Sequence, residues 1–153
     1  MNDKIKKLIS NISDLDFRLD WNDYFITIAY LVSKRSSCHR LNVGCILVKD
    51  NRIISSGYNG HLPKTEHRSV VRDNHEQLTI HAEMNSIMDC AKRNVSTNKS
   101  VAYITHFPCL NCFKGLVTSG ISKIYYSEDY KNDNLVYELA NEVNIQIIKL
   151  NRN

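Results

Sequence analysis

Two short runs hold the side chains able to do chemistry, His81-Ala82-Glu83 and Pro108-Cys109-Leu110-Asn111-Cys112. One imidazole and two thiols make a donor set suited to zinc. A catalytic zinc takes three protein ligands and keeps a fourth position for water, so His81, Cys109 and Cys112 complete the count. Glu83, two residues past His81, then remains to move protons to and from that water as general base and general acid. A closed structural site with His106 as fourth ligand is the competing arrangement, and it leaves Glu83 without a role.

Both runs read as helix starts. His81 opens one helix and Cys109 with Cys112 opens another, so the positive ends of two helix dipoles face the metal and favour ionised thiols. Pro108 directs the chain just before the second helix, where no N–H donor is needed. The 28 residues from His81 to Cys109 leave room for a helix and a strand between the two halves.

Hydrophobic spacing supplies the elements that must position these groups. Ile5, Leu8, Ile9, Ile12, Leu15 and Leu19 predict an amphipathic helix over 4–19. A second helix over 22–34, capped by Asp20 or Asn22, would turn Trp21, Tyr24, Phe25, Ile28, Leu31 and Val32 inward. Val43 to Val48 reads as a buried strand, Asp50-Asn51 as a tight turn, and Arg52 to Ser56 as the returning strand. The polar stretch after Gly57-Tyr58-Asn59-Gly60, to about Thr79, is long for a loop and is expected to be functional or locally stapled. Helices over 80–93, 110–119 and 134–141 then alternate with strands over 101–105, 121–126 and 145–150. A hairpin followed by βα alternation predicts an α/β fold with a mixed sheet covered by helices.

The chain has 153 residues, 42% of them hydrophobic, which favours one domain with a real core. Residues 1–20 are expected to be an N-terminal helical extension and 21–153 the domain proper. No apolar run is long enough for a membrane span, and Met1 to Lys7 lacks a signal sequence, so a cytoplasmic protein is expected. Five cysteines without a signal argue against a disulfide framework; Cys45 and Cys90 read as small buried residues. The net charge of +4 suits an anionic partner without choosing between a nucleotide and a nucleic acid. Lys4, Lys6 and Lys7, and Lys34, Arg35, His39 and Arg40, read as solvated faces.

The H-x-E…P-C-x-x-C pattern is a signature of zinc-dependent nucleobase deaminases, and the chain resembles the cytidine and deoxycytidylate deaminase superfamily. Its likeness to the deoxycytidylate (dCMP) deaminases of bacterial late-competence and phage type runs from about 22 to 150. Tyr30-Leu31-Val32-Ser33-Lys34, Val43-Gly44, Gly57-Tyr58-Asn59-Gly60, His81-Ala82-Glu83-Met84-Asn85, Thr105-His106-Phe107-Pro108-Cys109 and Ser119-Gly120-Ile121 carry it. The resemblance implies a three-layer α/β/α sandwich around a five-stranded mixed sheet. It implies hydrolysis of dCMP to dUMP and ammonia, feeding thymidylate synthesis: water attacks C4, and Glu83 shuttles protons to N3 and to the leaving amine.

It further implies that Asn59 meets the sugar or base and that the Ala82 backbone reads the cytosine edge. Lys92 falls where a phage-type enzyme has a phosphate-binding arginine, and Tyr130 falls on a phosphate-contacting tyrosine. Family members are often hexamers under dCTP and dTTP control, which makes Gly57, Tyr58, Asn59 and Gly60 a candidate effector loop, with Mg²⁺ accompanying a triphosphate. Cys38, His67 and His75 are candidate ligands of a second, structural zinc, with His61, His39 or Glu76 as fourth. Neither membrane nor nucleic acid is expected as partner. The alternatives are a dual dCMP/dCTP deaminase, a polynucleotide (tRNA-type) base deaminase, and a non-enzymatic scaffold.

Overall fold

The computed structural model describes residues 1–151 and opens with two helices, α1 (Asp3–Ser13) and α2 (Trp21–Ser33). Asn2 and Asp20 cap them by accepting from the amides of Lys4 and Asp23. The chain then forms β1 (Gly44–Lys49), β2 (Arg52–Tyr58), β3 (Gly60–His61), β4 (Val71–Arg72), β5 (His75–Glu76) and β6 (Thr79–Ile80). It continues through α3 (Ala82–Lys92), β7 (Val101–His106), α4 (Leu110–Thr118), β8 (Lys123–Glu128), α5 (Asn134–Glu142) and β9 (Gln146–Lys149).

Five strands make the central sheet in the order β2-β1-β7-β8-β9. β1 pairs antiparallel with both β2 and β7, whereas β7, β8 and β9 run parallel. Asp50 and Asn51, both at positive φ, close the β1–β2 hairpin as predicted. Alternation along the strands decides the layers. Cys45, Leu47, Ala102, Ile104 and Ile124 face α3, α4 and α5, where they meet Cys90, Phe113, Leu116 and Val136. Ile46, Val48 and Tyr103 face α2 and meet Phe25, Ile26 and Ala29. The three-layer sandwich with its five-stranded mixed sheet is therefore present.

Three expectations need correction. The inward stripe of α2 is Phe25, Ile26 and Ala29, while Trp21, Tyr24 and Leu31 remain exposed. Periodicity alone ranked the larger side chains first; the sheet instead accepts the face holding Ala29, against which Gly44 packs so closely that a Cβ there would lie 2.0 Å from the Ala29 carbonyl oxygen. The first helix stops at Ser13, short of 19, and buries none of its residues. The polar stretch after Gly57 is not one loop. β3 pairs with β6 and β4 with β5, giving two ribbons too short to announce themselves by alternation. No helix among the described residues is long and apolar enough to cross a membrane.

Candidate active site

Antiparallel β1 beside parallel β7 leaves the start of α3 and the start of α4 at one end of the sheet. His81 is the N-cap of α3 and Cys109 the N-cap of α4, and neither side chain caps its own helix. They point instead to a common centre with Cys112. Nδ1 of His81 lies 3.5 Å from Sγ of Cys109 and 3.3 Å from Sγ of Cys112. All three donor atoms fall within 4.8 Å of one another, the one such group of three among the described residues. Tetrahedral zinc with bonds of about 2.0–2.3 Å separates its N and S ligands by roughly 3.5 Å, so the donor set fits the ion in chemistry and in spacing.

The electrostatics agree. Cys109 is held down to about 4, first by the hydrogen bond with Cys112 and then by His81, whereas Cys112 is pushed up by Cys109 and by burial. Two adjacent thiols share one negative charge until a cation neutralises both. Glu83, one residue into α3 and 4% exposed, has its carboxyl pushed up by burial. Cys45 is likewise raised by burial and Cys90 is fully buried, as expected of residues that serve only to pack.

A cavity of about 100 Å³ is lined by two of the donor residues, His81 and Cys109. Its lining also includes Ala82, Glu83, Asn59, Glu76, His106, Phe107, Tyr130 and Arg40. His106 and Tyr130 meet edge to face with ring centres 6.0 Å apart. Asn59 is largely occupied by its own chain. Its Oδ1 accepts from the Val43 amide and the Ser36 hydroxyl, and its Nδ2 donates to the Leu41 carbonyl. It thus fastens the segment that carries Arg40 to the end of β2.

Arg40 was not singled out from the sequence, although it stands in the second basic cluster. It is the one lysine or arginine among the described residues bordering the cavity. One Nη1–H donates to the Asn74 carbonyl at 2.8 Å, leaving the remaining donors of the guanidinium available. Lys92 ends α3, about 16 Å from His81 by helical rise, and does not border the cavity. Arg93, beside it, is committed to Asp89 and to the Ile54 carbonyl.

The candidate second zinc is not shown among the described residues. Cys38 borders the catalytic cavity, while His61 stacks on His67 at 4.7 Å with its ring nitrogens against the Ser37 hydroxyl and the Arg68 carbonyl. No second group of three donors forms among the described residues, and the side chain of His75 lies outside them. The staple is a carboxylate. Glu76 accepts from the amides of Val70 and Leu78, each at 3.1 Å, and from the Ser69 hydroxyl. In the candidate effector loop, Gly57 has a packing reason, since a Cβ there would lie 2.3 Å from the Ala82 carbonyl oxygen.

A three-donor metal group beside a buried carboxylate, at the converging starts of two helices, defines a hydrolytic metal site with room for a water. A family model described as the cytidine and deoxycytidylate deaminase zinc-binding region matches residues 19–128, and the chain belongs to that family. It is 40% identical over 134 residues to ComE operon protein 2 of Bacillus subtilis, covering 85% of this chain and 71% of the relative. It is 32% identical over 140 residues to the deoxycytidylate deaminase of Saccharomyces cerevisiae, covering 85% of this chain but only 45% of the yeast enzyme. The crystal structure of the dCMP deaminase from cyanophage S-TIM5 in complex with dCMP and dUMP superposes with a TM-score of 0.76 at 28% identity, covering 88% of this chain and 99% of the phage chain.

Proposed function

We propose that this chain hydrolyses dCMP to dUMP and ammonia. The observation that carries the reading is one cavity lined by the metal-ligand residues His81 and Cys109, by the buried Glu83 and by a single arginine, Arg40. The metal group and Glu83 suit the C4 amino end of a cytosine, and Arg40 suits a 5′-phosphate. The likeness to dCMP deaminases supports this division.

His81, Cys109 and Cys112 would hold zinc, which when bound brings the pKa of a coordinated water to about 7. Glu83 takes a proton from the water and gives it to N3 of the ring, then carries a second proton to the departing amine. Burial, which raises its carboxyl, favours that exchange by making the protonated state accessible. The Ala82 amide, in the first turn of α3 and without an intrahelical partner, meets the base edge in this reading. Phe107, packed edge to face on Tyr126 at 5.1 Å, gives the base an apolar wall. Arg40 and Tyr130, which both line the cavity, take the 5′-phosphate.

The resemblance extends the reading to a homo-oligomer, of hexamer size, with dCTP and dTTP as effectors accompanied by Mg²⁺. Dynamic light scattering and dCMP saturation curves with each triphosphate test these two points. The substrate test is ammonia release from zinc-loaded protein with dCMP, deoxycytidine or a cytosine-containing oligonucleotide. Preference for dCMP supports the reading; turnover of the oligonucleotide alone overturns it in favour of a polynucleotide deaminase.

A further inference from the structure

Tyr130 lines the cavity from a loop that has no apolar anchor. The chain is fixed on either side of it. At the end of β8, Glu128 pairs with His106 in the parallel ladder, and its carbonyl accepts from the Phe107 amide at 2.9 Å. At the start of α5, Asp133 caps the helix by accepting from the Leu135 amide. Ser127 and Val136 are buried, but residues 129–135 between them are all exposed, so burial does not set the course of the chain there.

Asn132 and Asp129 supply polar bonds instead. Oδ1 of Asn132 accepts from the Tyr130 amide at 2.9 Å. Its Nδ2 donates to Oδ1 of Asp129 at 2.8 Å and to the Tyr137 hydroxyl at 3.1 Å. Oδ2 of Asp129 accepts from Nζ of Lys149 on β9. The loop is thereby tied to α5 through Tyr137 and to the sheet through Lys149. Lys149 and then Asn132 hold the Asp129 carboxyl below its ordinary value, as donors to an ionised carboxylate do. Tyr137 in turn packs on Phe107, ring centres 5.0 Å apart, which joins the clamp to the apolar wall of the cavity.

We propose that Asp129 and Asn132 are positioning residues that hold Tyr130 at the cavity and through it set recognition of the nucleotide 5′-phosphate. Neither borders the cavity, so both act through the backbone of Tyr130. The inference rests on the assignment of Tyr130 to the phosphate.

The test is KM and kcat for dCMP, with the inhibition constant of deoxycytidine, which lacks the phosphate. It compares the full zinc-loaded protein with Asn132→Ala, Asp129→Ala, Tyr130→Phe and the Asn132→Ala/Tyr130→Phe double variant. Both clamp residues are exposed, and an unchanged kcat in their variants reports an intact fold and metal site. Asn132→Ala and Asp129→Ala should each raise KM for dCMP roughly fivefold, about 1 kcal/mol, while kcat and the deoxycytidine constant stay within about twofold. Tyr130→Phe should raise KM for dCMP as well, and adding Asn132→Ala to it should change KM little further, because the two act on one contact. A fall in kcat, equal weakening of deoxycytidine or full additivity in the double variant would make the clamp a stabiliser of the domain and overturn its positioning role. Unchanged KM in both clamp variants, with a raised KM in Tyr130→Phe, overturns the clamp and leaves the phosphate reading standing. Unchanged KM in Tyr130→Phe overturns the assignment of Tyr130 itself and the inference with it.

Discussion

At the residue scale, the division of labour between Glu83 and its three neighbours is the strictest claim. The glutamate is buried beside the triad but is not counted among the donors. Glu83→Gln keeps the shape and removes the proton shuttle, so kcat should fall by roughly 10²–10⁴-fold with one zinc per chain still bound by elemental analysis. Loss of zinc in this variant would instead make Glu83 a ligand. These four residues were legible in the sequence because their types and spacing are themselves the chemistry. Arg40 was not, since one arginine in a basic run looks like any solvated cation until the fold sets it in the lining of the cavity. Lys92 stands at the other end of α3, and similarity of sequence position does not say which end of a helix reaches the site. Arg40→Ala should raise KM for dCMP at least tenfold, or about 1.4 kcal/mol, while Lys92→Ala should leave it within twofold.

At the element scale, the two helix starts and the loop ribbons set the site. Apart from the end of α1, helices and sheet strands were legible to within a few residues because each has a repeating apolar face, and the tight turn at Asp50-Asn51 has residues that accept positive φ. The ribbons of two-residue strands have no period to read, and their staple is a single carboxylate whose partners only the fold brings together. The Glu76 carboxyl is held at about 2, well under its ordinary 4.5, by the Ser69 hydroxyl first and then by the Leu78 and Val70 amides. Because the folded value is depressed, the clamp contributes fully above about pH 4.5 and is lost as pH falls toward 2. Hydrogen exchange at Val70 and Leu78 should therefore be faster in Glu76→Gln than in wild type near neutrality, and the difference should shrink as pH falls through that window. Equal protection at neutral pH would show that the clamp does not order the segment.

At the scale of the whole molecule, the core of the domain begins at α2. Phe25, Ile26 and Ala29 seal one side of the sheet, while α1 buries nothing. We propose that residues 1–20 are an extension to a domain comprising 21–153. Removing residues 1–18, which keeps the Asp20 cap of α2, should leave dCMP turnover within about twofold and shift Tm by less than roughly 4 °C, an amount corresponding to about 1 kcal/mol for a domain of this size. A larger loss of stability would mean that α1 contributes to the fold. Its amphipathic spacing was legible; its lack of a partner was not, because a stripe of Ile5, Leu8, Ile9 and Ile12 reads the same whether or not something covers it.

The central claim joins metal, glutamate and cytosine monophosphate in one reaction, and one assay addresses all three. dUMP and ammonia formed from dCMP would be quantified for purified zinc-loaded protein, for the same protein after chelation, and after zinc is returned. The account predicts equimolar dUMP and ammonia, loss of both on chelation, and recovery with zinc. Unchanged dCMP in the zinc-loaded sample, or turnover that persists once zinc has been removed, would contradict it.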